Sequence, residues 1–153
     1  TRVERSGGRW RGVCWAMHFN LVDAVLERGE GRIVTIKHVS SAEEYLGDHF
    51  PGYPVLPGVM MLEAMVQAAR LVADPMDEAD PPLVLGMVRG LKYGRFVRPG
   101  ASLRVEVTFL KETPGGKEFK AEALLVEAGK STGEMAGVAA SGRITLRPAR
   151  VQA

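Results

Sequence analysis

Residues 57–73, with the sequence PGVMMLEAMVQAARLVA, form the stretch that decides the fold class. Pro57 and Gly58 are typical of a loop that leads into a helix, and the fifteen residues that follow contain neither Gly nor Pro. At about 1.5 Å per residue, a helix over 59–73 would be roughly 22 Å long. Because most of its positions are apolar, this helix is predicted to be largely buried beneath other elements.

The segments around this helix have the composition of strands and loops. Loops are predicted at 40–53 and 74–82, where Pro, Gly and Asp interrupt any regular pattern. Strands are predicted from apolar, β-branched or alternating residues at 21–26, 32–39, 83–88, 103–109, 119–125 and 135–146. Two strands, one helix and four strands, in that order, predict an α+β fold in which an antiparallel sheet wraps around one long central helix.

Length and composition exclude several classes of protein. The chain has 153 residues, 46% of them hydrophobic and 25% charged, which fits one soluble domain with a sizeable core. No apolar run approaches the roughly 18 residues of a membrane span, and a net charge of +2 gives no argument for nucleic acid binding. With Cys14 as the single cysteine and three histidines, no zinc spacing is present, so we expect no metal and a reducing, cytoplasmic setting.

The chain is predicted to have a short arm, one domain and a short tail. Residues 1–16 contain four arginines and one glutamate without convincing periodicity, and we interpret them as an amino-terminal arm. The regular pattern begins near Met17, so one hypothesis is that Met17 is the natural start; the alternative is an ordinary arm. The domain is predicted over 17–146, and the carboxy-terminal tail over 147–153.

The polar positions of the predicted helix are Glu63, Gln67 and Arg70, which share one helical face through the i, i+4, i+7 spacing. Periodicity alone favours a narrow stripe that faces solvent. The alternative is that Glu63 points into an enclosed cleft, where desolvation favours the protonated carboxylic acid and lets it donate a proton near neutral pH. Gln67, one turn later, would then orient that acid or a water molecule.

Two further residues near the helix start are candidates for chemistry. His49 lies in the predicted loop, where a lone histidine is more often solvated or structurally bonded than catalytic. Gly58 would expose backbone N–H groups at the positive end of the helix dipole and so hold a developing oxyanion. The alternative is that Pro57 and Gly58 simply mark the change from loop to helix, without a role in chemistry.

Taken together, residues 47–68, GDHFPGYPVLPGVMMLEAMVQA, resemble the signature of the hot-dog-fold 3-hydroxyacyl-[acyl-carrier-protein] dehydratases of the FabZ type. The match includes the His-Phe-Pro opening, the Pro-x-x-Pro-Gly-Val approach, Glu63 fourteen positions after His49, and Gln67 four positions further on. The order of features along the chain is similar to that of this family over about 21–146. Asp48 and Ala101 replace a glycine and an acidic residue common in the family, which bears on loop shape and substrate range more than on the reaction.

The resemblance implies dehydration of (3R)-hydroxyacyl thioesters on acyl carrier protein to trans-2-enoyl thioesters, in fatty-acid or related acyl-chain biosynthesis, without a cofactor. His49 is implied as the base and Glu63 as the acid, with Gln67 orienting the acid or water. The backbone N–H of Gly58 would polarise the thioester carbonyl, and the carbonyl of Val55 would accept the other His49 N–H. A homodimer is also implied, with His49 from one subunit and Glu63 from the other.

A basic segment follows the helix at 89–104, where five basic residues occur without an acidic one: Arg89, Lys92, Arg95, Arg98 and Arg104. Acyl carrier protein is acidic, so Lys92, Arg95 and Arg98 are the candidate docking residues, although a solvated charge run is the alternative. Two other functions stay open at this stage. They are a hot-dog acyl thioesterase and a catalytically silent acyl-binding subunit.

Overall fold

The sheet and helix predicted from the sequence are present in the computed structural model, which describes residues 20–76 and 78–150. The predicted arm at 1–16 and residues 151–153 of the predicted tail lie outside these described residues. The elements in chain order are β1 (Ala24–Gly29), β2 (Arg32–His38), a short 3₁₀ helix (Glu44–Leu46), α1 (Gly58–Ala73), β3 (Leu83–Tyr93), β4 (Ser102–Thr113), β5 (Gly116–Val126) and β6 (Val138–Pro148).

The six strands form one antiparallel sheet in the order β1-β2-β4-β5-β6-β3. Helix α1 packs against β2, β3, β4, β5 and β6. Strand β3, which follows the helix in the chain, lies at the edge of the sheet opposite β1 and pairs with β6. The predicted α+β class and the single central helix are therefore confirmed.

Small side chains let the helix approach the sheet closely. Ala64 and Ala68, one helical turn apart, are fully buried, as is Met65 between them. The sheet contributes large apolar side chains to the same core, among them Ile33, Leu103, Val105, Val107, Phe119 and Ile144. The alternation that predicted the half-buried strands over 103–109 and 119–125 follows from this contact, since every second side chain faces α1.

Every predicted strand except the second has a bound that is wrong by at least three residues, and the first and third strands show why. The first strand covers Ala24–Gly29 rather than 21–26, and all six of its residues are exposed, so its extent is set by backbone pairing with β2 and not by apolar side chains. The third strand continues to Tyr93 rather than ending at position 88. It passes through Gly90, whose φ of 59° accompanies a register shift between Arg89 and Lys92 in its pairing with β6.

Glu43 ties the loop after β2 to the sheet. Its Oε1 accepts hydrogen bonds from Tyr45 Oη at 2.7 Å and from Lys37 Nζ at 3.0 Å, and its Oε2 accepts one from the Ser40 N–H at 2.8 Å. Partial burial raises the pKa of Glu43, but the donors Tyr45, Lys37 and Ser40 outweigh it, so the pKa of this carboxyl is lower than its usual value. Burial and the contact with Glu43 together raise the pKa of Tyr45.

The substitution Glu43→Gln tests this anchor. A carboxyl whose pKa is lowered by folding stabilises the folded state above its ordinary pKa of 4.5, and that contribution is lost as the pH falls through the folded-state pKa. We therefore expect Glu43→Gln to have a lower free energy of unfolding than the wild type at pH 7, and the difference to shrink below about pH 4.5. Urea unfolding at a series of pH values measures it.

The matched control for this test is Glu44→Gln, one residue further along the chain, where the side chain is exposed. We expect the control to differ from the wild type by the same small amount at every pH. A Glu43→Gln difference that stays constant between pH 7 and pH 3.5 would contradict the assignment of the anchor to the ionised carboxylate.

Candidate active site

His49 is held by the backbone of Val55 through two hydrogen bonds. The imidazole Nδ1 lies 2.9 Å from the Val55 carbonyl oxygen, and the Val55 N–H donates to the His49 carbonyl oxygen at 2.9 Å. Because a carbonyl oxygen can only accept, Nδ1 carries a proton, and in the neutral imidazole Nε2 therefore has the lone pair. Val55 is itself buried, and the Leu56 N–H donates to the Val97 carbonyl oxygen at 2.7 Å. The backbone thus fixes both the tautomer and the direction of the ring.

The residues after His49 form a tight turn. The Phe50 N–H donates to the Tyr53 carbonyl oxygen at 3.2 Å, and the Tyr53 N–H donates to the Phe50 carbonyl oxygen at 3.0 Å. The Phe50 ring stacks on the His49 ring with a centroid distance of 4.3 Å, and the peptide bond between them is cis. Asp48, the sequence departure beside His49, is exposed and makes no hydrogen bond or ion pair with His49 among the described residues. One face of the imidazole is therefore covered by an aromatic ring.

Gly58 begins α1, and Pro57 before it provides no side-chain cap. The first N–H groups of a helix have no acceptor within the helix and lie at the positive end of its dipole. A Cβ atom at Gly58 would lie only 2.8 Å from Cε1 and Cζ of Tyr93. The missing side chain therefore admits the Tyr93 ring against the helix start.

Tyr93 is the residue of this site that the sequence did not reveal. It is the last residue of β3 and remains 51% exposed although its ring contacts Gly58. In the sequence, the nearby Lys92, Arg95 and Arg98 are candidate docking residues because of their charge, and no pattern there points to Tyr93. The one available signal, an aromatic residue between Lys92 and Arg95, does not indicate which element it contacts, since that depends on the strand order of the whole sheet.

Glu63 and Gln67 contact each other as their spacing on the helix requires. Gln67 Nε2 donates to Glu63 Oε1 at 3.1 Å, and Gln67 Oε1 accepts a hydrogen bond from the backbone N–H of Leu21 at 2.9 Å. Gln67 is only 5% exposed, so the predicted solvent-facing stripe is wrong at this position. Glu63 and Arg70 are half-buried. Within residues 20–76 and 78–150, no hydrogen bond or ion pair joins Glu63 to His49.

The candidate docking residues Lys92, Arg95 and Arg98 are all exposed. The Arg98 guanidinium lies 4.3 Å from the centroid of the Tyr53 ring, which places this cation beside the loop that holds His49. Arg104, counted with the basic segment in the sequence, does not share this surface. Its side chain is largely buried and forms ion pairs with Glu106 at 2.9 Å and Glu27 at 3.4 Å.

The described residues show neither a metal-binding cluster nor a membrane-spanning helix. In the part of the chain that the structure describes, no group of three or more His, Cys, Asp or Glu side chains could hold a metal ion. The single long helix there is too short to cross a membrane.

The architecture is the hot-dog fold, as the likeness to solved structures shows. The chain is similar to an acyl-CoA hydrolase from Bacillus cereus, with a TM-score of 0.59 and 18% identity, over 78% of this chain and 66% of that one. It is also similar to a chain of the dehydratase heterocomplex ApeI:P from Xenorhabdus doucetiae, with a TM-score of 0.57 and 16% identity, over 82% and 95%. At such low identity these likenesses establish the fold alone.

Sequence similarity then defines the family. A family model described as a FabA-like domain matches residues 16–132. The chain is 38% identical over 112 residues to the 3-hydroxyacyl-[acyl-carrier-protein] dehydratase FabZ of Variovorax paradoxus, covering 70% of this chain and 75% of that protein. It is 42% identical over 111 residues to the same enzyme of Klebsiella pneumoniae, covering 70% and 74%. The chain therefore belongs to the FabA-like family and, within it, to the FabZ-type dehydratases, which confirms the resemblance of residues 47–68.

The contact between Gly58 and Tyr93 predicts the effect of adding one methyl group. In Gly58→Ala the new Cβ must displace the Tyr93 ring, so we expect a lower free energy of unfolding than in the wild type. In a Tyr93→Ala background the clash is absent, and the better helix former should then be neutral or stabilise by about 0.5–1 kcal/mol. Urea unfolding of the four proteins in this double-mutant cycle measures the coupling. Equal effects of Gly58→Ala in both backgrounds would show that the ring does not restrict this position.

Proposed function

We propose that this chain dehydrates (3R)-hydroxyacyl thioesters carried on acyl carrier protein to trans-2-enoyl thioesters, in fatty-acid or related acyl-chain biosynthesis. The observation that carries the proposal is the hydrogen bond from His49 Nδ1 to the Val55 carbonyl, because it leaves Nε2 as an oriented base. Membership of the FabZ-type family supplies the reaction class, and the relatives named above are enzymes of that class. The proposed setting is the cytoplasm, where Cys14 would stay reduced.

The proposed mechanism uses one base, one donor and one acid. His49 Nε2 takes the proton from C2, and the backbone N–H of Gly58 stabilises the negative charge that develops on the thioester oxygen. Glu63 donates its proton to the hydroxyl on C3, so that the C3–O bond breaks, water leaves and a double bond forms between C2 and C3. Gln67 holds the Glu63 carboxyl through the 3.1 Å hydrogen bond. Transfer of the proton from His49 back to Glu63, directly or through water, completes the cycle.

A homodimer is proposed to complete the site. No hydrogen bond or ion pair joins His49 to Glu63 within the described residues of one chain, so in the proposed dimer each site takes its histidine from one protomer and its glutamate from the other. Strand β3 lies at an edge of the sheet, and Met87, Tyr93 and Phe96 are exposed on or just after it. Antiparallel pairing of β3 with its own copy about a two-fold axis would satisfy this edge and continue the sheet.

Lys92, Arg95 and Arg98 are proposed to bind acidic side chains of the carrier protein. All three are exposed, and Arg98 is held near the His49 loop by its contact with Tyr53. A carrier protein bound here would deliver its acyl thioester close to the base. Electrostatic contacts of this kind act mainly on the rate of association and weaken as salt is added.

The catalytic pair is tested with His49→Ala and Glu63→Gln. We expect each variant to lose about 10²- to 10⁴-fold in kcat/KM, the usual contribution of a general acid or base. The assay follows loss of the conjugated double bond when an enoyl thioester is hydrated, with folding checked by circular dichroism. His38→Ala is the control, because this exposed imidazole contacts Ser102 and not the site. A folded His49→Ala enzyme with wild-type activity would overturn the role of His49, and release of free thiol by the wild type would favour a thioesterase.

The same two variants test the shared site. Random mixing of His49→Ala and Glu63→Gln subunits gives heterodimers in which one of the two sites contains both intact residues. We therefore expect recovery of about a quarter of wild-type activity after the subunits are allowed to exchange. An exchanged mixture that remains as inactive as its components, with heterodimers detected by native mass spectrometry, would contradict a site formed by two protomers.

Docking is tested by reversing charge at Arg95 and Arg98. We expect Arg95→Glu/Arg98→Glu to raise KM for an acyl-carrier-protein substrate by about tenfold at low salt, since contacts between opposite charges become repulsive. The KM for a short acyl-pantetheine thioester should stay unchanged. Lys111→Glu/Lys120→Glu, at exposed positions of β4 and β5, is the control with the same change in net charge. Equal KM values for the double variant and the control would exclude this docking surface.

A further inference from the structure

A hydrogen bond with Leu21, which lies outside α1, sets the orientation of the Gln67 side-chain amide. The backbone N–H of Leu21 can only donate, so the amide oxygen of Gln67 must face it, as the 2.9 Å contact shows. Both residues are buried, so water cannot easily replace this hydrogen bond. Rotating the amide by 180° would place its NH₂ group against the Leu21 N–H and leave a buried donor without an acceptor, which typically costs about 1–3 kcal/mol.

The fixed amide has a consequence for Glu63. With its oxygen facing Leu21, Gln67 must present its NH₂ group to Glu63, where Nε2 donates to Oε1 at 3.1 Å. A protonated carboxyl has one carbonyl oxygen and one hydroxyl oxygen, and the carbonyl oxygen is the better acceptor. The donor at Oε1 therefore favours the form in which the proton is on Oε2.

We propose that the backbone N–H of Leu21, acting through Gln67, is a positioning group that keeps the transferable proton of Glu63 on Oε2, the oxygen that Gln67 does not contact. The inference rests on the proposed role of Glu63 as the acid. It adds a determinant outside the 47–68 motif, 46 positions before Gln67 in the chain. Under this arrangement the acid meets the substrate with its proton on one defined oxygen.

The position of the Leu21 N–H is itself fixed by the sheet. The Val22 N–H donates to Asn20 Oδ1 at 3.0 Å, and the Asp23 N–H donates to the Ile36 carbonyl oxygen of β2 at 2.9 Å. The Leu21 side chain is buried in the core. These contacts hold the segment that enters β1 in place, and the Leu21 N–H in turn orients the side chain of Gln67 on α1.

A test by pH must take account of the charged groups that the described residues place around Gln67. The charged side chains on its face of α1 are Glu63 and Arg70, one turn to either side. The core cluster around α1 is apolar, but the same face of β2 also carries Thr35, which is buried and does not titrate, and Lys37. Lys37 is paired with Glu43 and Asp23. Glu118, the buried carboxylate of β5, adjoins the core residue Phe119 and so lies on the opposite face of the sheet, where it pairs with Arg143.

The test compares Gln67→Glu with Gln67→Met. A protonated glutamic acid at position 67 can accept from the Leu21 N–H and donate its O–H to Glu63 Oε1, as glutamine does, but its ionised form offers no donor. We therefore expect kcat of Gln67→Glu, relative to the wild type, to rise about tenfold as the pH is lowered. Gln67→Met should lose about tenfold in kcat at every pH. KM for a short enoyl thioester should change by less than about twofold in both, because the inference gives Gln67 a contact with Glu63 and Leu21 and none with the substrate.

Several outcomes would overturn the inference. One is a Gln67→Glu profile parallel to that of Gln67→Met; another is a Gln67→Met enzyme with wild-type kcat. A measurement on the wild type removes dependence on the folding of either variant: the Leu21 amide proton should exchange with solvent at least about 100-fold more slowly than an unprotected amide. Exchange at the unprotected rate would also overturn it. A fully active Glu63→Gln enzyme would instead refute the proposed acid, so the two failures are distinguishable.

Discussion

Two hydrogen bonds between His49 and Val55, each 2.9 Å long, tie the candidate base to the backbone that leads into α1. No second side chain is needed to orient the imidazole, because a main-chain carbonyl receives its Nδ1 proton. Val55 is three residues before Gly58, so the base and the first N–H groups of the helix are connected by one short, anchored segment. The bond from the Leu56 N–H to Val97 fixes that segment to the chain beyond β3. The orientation of the whole candidate site depends on this backbone.

The sheet brings distant parts of the sequence to this segment. The order β1-β2-β4-β5-β6-β3 places β3 at an edge, and its last residue, Tyr93, reaches the start of α1. The turn that follows carries Arg98 to Tyr53. At the other end of the sheet, the chain entering β1 supplies the Leu21 N–H that binds Gln67. The segment that orients the base, the residue that holds the acid, and Arg98 are thus each anchored by a contact with a part of the chain far away in sequence.

Local sequence patterns predicted the elements whose burial is visible in the order of apolar and polar residues. The apolar run without Gly or Pro gave α1 to within one residue of its start, and alternation identified β4 and β5 because one face of each packs on the helix. Strand β1 is exposed on both faces, so composition could not indicate its bounds. Periodicity placed Gln67 beside Glu63 but could not distinguish a solvent-facing stripe from a side chain buried against a backbone donor. The family motif predicted His49 and Glu63 as the candidate base and acid, whereas the contacts of Tyr93 and Leu21 are visible only in the folded chain.

The most direct test of this account is the tautomer of His49, read from the ¹⁵N chemical shifts of its imidazole in the wild-type enzyme. At pH 8.5 an ordinary imidazole is neutral, since its pKa lies near about 6.5. Comparison with His49→Gln assigns the signals among the three histidines of the chain. The account predicts a single tautomer with the proton on Nδ1 and a bare Nε2. A proton on Nε2, or a rapidly exchanging mixture of both tautomers, would contradict it, because the Val55 carbonyl would then not orient the base.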